Sequence, residues 1–151
     1  MNLCRLLLPV VVVFGVVSIP AQAQPKQAPA PTSTVQTAKA TAAYAEIALK
    51  RTDVEAELES LLIDYTDDFP KVKELKYALT RVDAEAARLL SIKAADRDRA
   101  TAALGKLMVR KVEAEIDLWK VQQDYADAHP DVKRAKKKVE IFEKAIKEIL
   151  G

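Results

Sequence analysis

The sequence predicts an all-α protein: two tandem antiparallel helical hairpins of coiled-coil type. Three observations lead there. A proline-bearing stretch occurs twice, sixty positions apart. Apolar residues alternate three and four apart over about four turns in each arm, the spacing of packed helices. From Ala40 to Asp127 only Pro70 and Gly105 interrupt a helix-forming composition.

The repeated stretch first reads Asp64-Tyr65-Thr66-Asp67-Asp68-Phe69-Pro70-Lys71-Val72-Lys73. It returns as Asp124-Tyr125-Ala126-Asp127-Ala128-His129-Pro130-Asp131-Val132-Lys133. Proline fixes its own φ and drives the preceding residue out of the α region, so a helix should stop near Phe69 or His129. Proline also suits the first helical position, so a new helix should start at once. Each copy is therefore expected to be the tip of a helical hairpin. A hairpin turning there sets Tyr65 opposite Val72 and Asp64 opposite Lys73, with Tyr125, Val132, Asp124 and Lys133 in the same roles.

Fourteen residues between 40 and 91 are identical to the residue sixty later, and they cluster at the tips. This is the pattern of an internal duplication of a helix–turn–helix unit. The seam of the first arm runs Ala40, Tyr44, Ile47, Val54, Leu58, Leu61 and Tyr65, with Arg51 in the gap. The second arm carries Val72, Leu75, Leu79, Val82, Ala86 and Leu89. In the second unit Lys111 takes the place of Arg51, between Leu107 and Ala114. Charged seam residues cost stability but fix register, and that role is expected of both.

The connection between the units contains neither Gly nor Pro from Leu90 to Thr101. The favoured expectation is one continuous central helix of about 58 residues, some 87 Å long. The alternative folds the chain near Asp96 to Asp98 into a compact four-helix bundle. Leu49, Leu62, Ile63, Met108, Val109, Ile116, Trp119 and Ile141 lie off the seam. Leaving a large apolar side chain wet forgoes about 1.5–3 kcal/mol of burial, so these residues should meet the other hairpin or another chain.

Residues 1–23 read as a signal peptide: Arg5, an apolar run from Leu6 to Ile19, then Ala21-Gln22-Ala23 as a cleavage pattern. The apolar run is shorter than the roughly 20 residues a membrane span needs. The mature chain is thus expected to begin at Gln24, exported to the periplasm or secreted, with no integral membrane segment after cleavage. Cys4 leaves with the signal, so no disulfide contributes. Residues 24–35 are Pro- and Ala-rich and read as a flexible tether, with Ser33 or Thr34 as a cap for the helix that follows. The duplicated domain then covers 36–151, with units of about 36–95 and 96–151.

The net charge of the chain is +2, which points to no nucleic-acid partner. One histidine, His129, and no cysteine in the mature chain do not make a zinc site. There is no Gly-rich phosphate loop and no nucleophile elbow, so the reading is a non-catalytic protein without cofactors. His129 is expected to act in helix initiation or partner contact. Lys133, Arg134, Lys136, Lys137 and Lys138 form the densest charge run. It reads mainly as a solvated helix face, with an anionic polysaccharide as the functional alternative. Ile116, Trp119, Lys133, Arg134 and Lys137 together are the candidate interaction surface.

The second tip, Tyr125-Ala126-Asp127-Ala128-His129-Pro130-Asp131-Val132-Lys133, resembles the Tyr-x-x-x-His-Pro-x-Val turn of polysaccharide chain-length determinant proteins, whose periplasmic part is a coiled-coil hairpin. The first tip departs from that pattern in carrying Phe69 where it has His. The resemblance covers about nine residues per tip plus generic heptads. It implies an envelope-located helical hairpin and a link to polysaccharide assembly or export. It carries over no catalytic residue, because the kinase domain and second membrane helix of that family have no counterpart in this sequence. Two functions are consistent with these readings. One is an envelope scaffold or adaptor that pairs with a protein partner or with itself through its helices. The other is a periplasmic holdase-like chaperone, which would call for a more basic surface.

Overall fold

The computed structural model describes residues 31–151. The expected signal peptide, 1–23, and the first part of the expected tether lie outside the described residues. Five α-helices follow in order: α1 (Pro31–Lys39), α2 (Ala42–Leu62), α3 (Pro70–Leu90), α4 (Ala102–Asp124) and α5 (Pro130–Leu150). The chain is all-helical, and its two hairpins, α2–α3 and α4–α5, recur sixty residues apart. The helix begins at Pro31, so Ser33 and Thr34 lie within α1 instead of capping it, and the predicted tether ends sooner than residue 35.

Both hairpins begin on the same device. Thr41 is extended, and its Oγ1 accepts a hydrogen bond from the Tyr44 N–H. Thr101 does the same for the Leu104 N–H. A threonine N-cap satisfies one of the N–H groups that a helix start leaves without a partner. The shared Ala-Thr-Ala-Ala at 40–43 and 100–103 is therefore the root of each hairpin.

The central helix is not continuous. Helix α3 ends at Leu90, where the Ser91 hydroxyl donates to the Arg88 carbonyl at 2.7 Å and competes with the helical ladder. A 3₁₀ segment, Ala94–Arg99, then turns the chain before Thr101 starts α4. The chain folds back near Asp96 to Asp98, as in the alternative arrangement. The bend is held from outside: the Ala100 carbonyl accepts from the Ala43 N–H at 3.1 Å, and Arg99 donates to the Leu150 carbonyl at 2.9 Å. The physical reason is burial. Folding back takes Met108 and Ile116, which a straight helix would leave wet, to 0% and 9% exposure.

The pairings Ala43 with Gly105 and Lys50 with Glu113 rise together in number, so α2 and α4 run parallel. Helix α3 packs against both of them, α5 lies mainly along α4, and α1 rests on α2 and α3. Seam residues Ile47, Val54, Leu58, Val72, Leu75, Val82 and Leu104 are buried in one core. The core also takes Ala43, Ala78, Met108 and Val112, which lie off the seam and join the two hairpins.

At the root the helices nearly touch. A Cβ on Gly105 would lie 2.7 Å from the Ala43 carbonyl oxygen and 2.8 Å from the Glu46 Cβ, with no room between. Helices this close need a residue without a side chain. Gly105→Ala is expected to force the hairpins apart and to cost about 1–3 kcal/mol, the range for overpacking a tight contact. Urea denaturation of the two proteins checks this. An unchanged midpoint would show that the root tolerates the methyl.

Candidate functional site

Because α2 and α4 start together and run parallel, both tips stand at one end of the bundle. They are built alike. Tyr65 stacks on Phe69 with ring centroids 4.2 Å apart and planes at 16°. Tyr125 stacks on His129 at 4.1 Å and 19°. The Phe69 N–H donates to the Thr66 carbonyl, and the His129 N–H to that of Ala126. The Lys73 N–H returns to the Phe69 carbonyl and the Lys133 N–H to that of His129, both at 3.1 Å. Pro70 and Pro130 open the outgoing helices, and Val72 and Val132 are fully buried beneath the tips.

One difference is chemical. The His129 Nδ1 accepts from the Asp131 N–H at 3.3 Å and so caps α5, as its expected helix-start role requires. Phe69 offers no side-chain cap to α3.

The expected Asp–Lys pairs across the tip do not form. Lys73 pairs with Asp68 at 3.2 Å instead of with Asp64. Among the described residues neither Asp64, Asp124 nor Lys133 enters an ion pair. The charges that close the tips stand further out: Lys76 with Asp67 at 2.7 Å, and Lys136 with Asp127 at 3.0 Å. Sequence reasoning missed the aromatic stack, although an aromatic four residues after each tyrosine was its signal.

The candidate surface on α4 and α5 divides. Ile116 is buried in the core and takes no part in a surface. Trp119 is half-buried and stacks on Tyr77 of α3 at 5.3 Å and 17°. With Phe69 and Pro70 it lines a groove of about 650 Å³ beside the first tip, edged by Lys71, Lys73 and Lys120. On α5, Arg134 pairs with Asp131 at 3.0 Å and Lys137 with Glu140 at 2.9 Å, so much of the basic run is neutralised locally.

The largest electrostatic feature lies between the hairpins. Lys111, on the seam of α4, is 7% exposed and pairs with Glu85 of α3, Glu115 of α4 and Glu143 of α5. Arg81 meets Glu115 through two hydrogen bonds of 2.7 and 2.8 Å, and Arg88 reaches Glu143 at 3.0 Å. Three cations thus balance three carboxylates. One oxygen of Glu85, Oε2, is buried without a hydrogen bond; the Arg88 guanidinium stands 3.7 Å away.

The first unit has the same triad sixty positions earlier: Arg51 with Glu55 at 2.6 Å and Asp83 at 2.9 Å. That triad is solvent-exposed. Helix α3 covers its counterpart with Arg81, Glu85 and Arg88, which makes Lys111 a tie between three helices and supports its register role.

Burial alone would lower the Lys111 ammonium, but its hydrogen bond to Glu85 and the nearby carboxylates hold it above its ordinary range. Burial alone would raise the Glu143 carboxyl, but hydrogen bonds from Arg88 and Lys111 hold it below its ordinary range. Hydrogen bonds from Lys120 and Lys71 likewise outweigh burial at Glu74.

Depressed carboxyls contribute stability that is present above the ordinary value of 4.5 and lost as pH falls through the folded value. The raised lysine contributes stability present below 10.5 and lost as pH rises through its folded value. Thermal melts against pH should therefore fall off on the acid side below about 4.5 and on the alkaline side above about 10.5.

Substitution separates the two triads. Lys111→Ala takes from buried Glu85 its one hydrogen-bonded cation, while Glu115 and Glu143 keep Arg81 and Arg88, and is expected to cost about 3–5 kcal/mol. Arg51→Ala should cost far less, because water replaces the lost partner. Equal losses in urea melts would mean that the buried cluster is not a tie. At the tips, Tyr125→Ala removes a stack worth about 0.5–1.5 kcal/mol beyond its buried area. Asp124→Ala removes no ion pair and should melt like the wild type. An equal or larger loss from the aspartate change would show that the tip is held differently.

Among the described residues no cluster of three or more His, Cys, Asp or Glu side chains is placed to hold a metal ion. No helix among them is long and apolar enough to cross a membrane. No protein family, curated protein or solved structure matches this chain.

Proposed function

We propose that the chain is a non-catalytic helical scaffold or adaptor, exported to the cell envelope, that holds a protein partner through helix contacts at its two tips. The observation that carries this reading is the doubled end of the bundle. Tyr65 and Tyr125 keep 45% and 47% of their surface exposed, and Ile63 beside the first tip keeps 81%. Aromatic side chains with one wet edge are favoured where a partner supplies the missing apolar cover. The tips preserve them in both units while the flanking charges change, as between Glu74 and Arg134.

Export rests on the signal-like start of the sequence. A link to polysaccharide assembly rests on the resemblance of the second tip to chain-length determinant proteins. The α5 cations add little to it, since all of them but Lys133 already pair with an acid.

Two measurements test the reading. Mass spectrometry of the protein from its own cells should show a chain beginning at Gln24; intact Met1 in the membrane fraction would remove the export step. A photo-crosslinking residue at 65 or 125 should give one discrete heavier adduct in those cells, whereas the same residue at Thr80, on the exposed side of α3, should not. Identical adduct patterns at all three positions would overturn the tips as the contact.

A further inference from the structure

Helix α3 covers one side of the parallel α2–α4 pair. The other side holds a groove of about 490 Å³ lined by α2 and α4 alone. Its apolar floor is Leu49, 62% exposed, and the half-buried Val109. Lys50 and Glu113 join across it at 3.2 Å. The remaining charges sort by wall: Glu46 and Asp53 on α2, Lys106 and Arg110 on α4. Among the described residues, none of these four side chains makes an ion pair or hydrogen bond. Each helix therefore presents a wall of one sign with nothing to neutralise it.

This arrangement complements itself. A two-fold axis lying along the helices sets the acidic wall of one copy on the basic wall of the other, and repeats the match on the far side. The alternative in-plane axis, across the helices, sets acid on acid and base on base. A closed symmetric interface must be self-complementary, and only the first axis makes it so. The levels also agree, because Glu46 packs beside Gly105 and so stands next to Lys106 in height.

We infer that this groove is a self-association surface: a parallel dimer in which Leu49 and Val109 are covered by a second copy and the Glu46–Asp53 wall meets that copy's Lys106–Arg110 wall. The dimer deepens the scaffold reading and rests on it, because it places four tips at one end of the assembly. It uses a different face from the tips, so the two can fail separately.

Two double variants test it on the full chain. Glu46→Lys with Asp53→Lys makes both walls basic; Lys106→Glu with Arg110→Glu makes both acidic. Sedimentation equilibrium at about 100 μM should show a dimer for the wild type and roughly tenfold or greater weakening for each double variant alone. Mixing the two variants in equal amounts should restore the dimer, because every wall then meets its opposite. Circular dichroism confirms that each variant keeps its helices, and recovery on mixing distinguishes a broken interface from a misfolded chain.

A wild type that sediments as a monomer overturns the proposal. So does a mixture that stays monomeric, or a double variant that dimerises as tightly as the wild type. A monomer whose tips still crosslink a partner would remove the dimer alone. A dimer with silent tips would remove the tip contact alone.

Discussion

The contact between α2 and α4 at Gly105 is the constraint on which the rest of the bundle depends. The missing side chain lets the Ala43 backbone approach, and this brings the Ala100 carbonyl within reach of the Ala43 N–H. With the roots locked, α2 and α4 can only run side by side, and α3 finds a trough between them. The buried charge cluster follows from that docking. Arg81 and Glu85 reach α4 because the root has already set its distance.

The two units show how one sequence pattern serves two environments. Arg51 and Lys111 hold equivalent positions with equivalent carboxylate partners, yet one triad is wet and the other buried. What differs is the neighbouring helix. Arg81, Glu85 and Arg88 on α3 have Ile141, Ala145 and Glu148 as their counterparts on α5. The first set completes an ionic core; the second faces outward, with Ile141 59% exposed. A buried ionic core is weak support for stability compared with apolar packing, but it penalises mispairing heavily. Its role here fits register: α3 must dock on α4 at the level where three charges find three partners.

Much of this was legible in the sequence. Periodicity and proline placement located both hairpins, because they depend on local geometry and on a seam that repeats. The break at Ser91–Thr101 was the less favoured of the two expected arrangements, since the composition there favours helix. Its local signs were present: a serine able to bond back to Arg88, and a threonine sixty residues after Thr41 before the same two alanines. The deciding term was tertiary, in the apolar residues that folding back covers. Ala78 and Glu85, buried on α3 outside the expected seam, were hidden because a small residue and a charged one do not mark an apolar face. At the tips the expected Asp–Lys pairs gave way to ring stacking, which a scheme of facing positions does not register.

The parallel run of α2 and α4 has a mechanical consequence. The tips are the prongs of a fork whose pitch is set at the handle, about 30 Å away along each helix. A target carrying two matching sites at that pitch would be gripped twice, and the second grip would form at high effective concentration. Recognition would then depend on spacing as well as chemistry. A methyl group added at the handle would detune the fork without touching either prong.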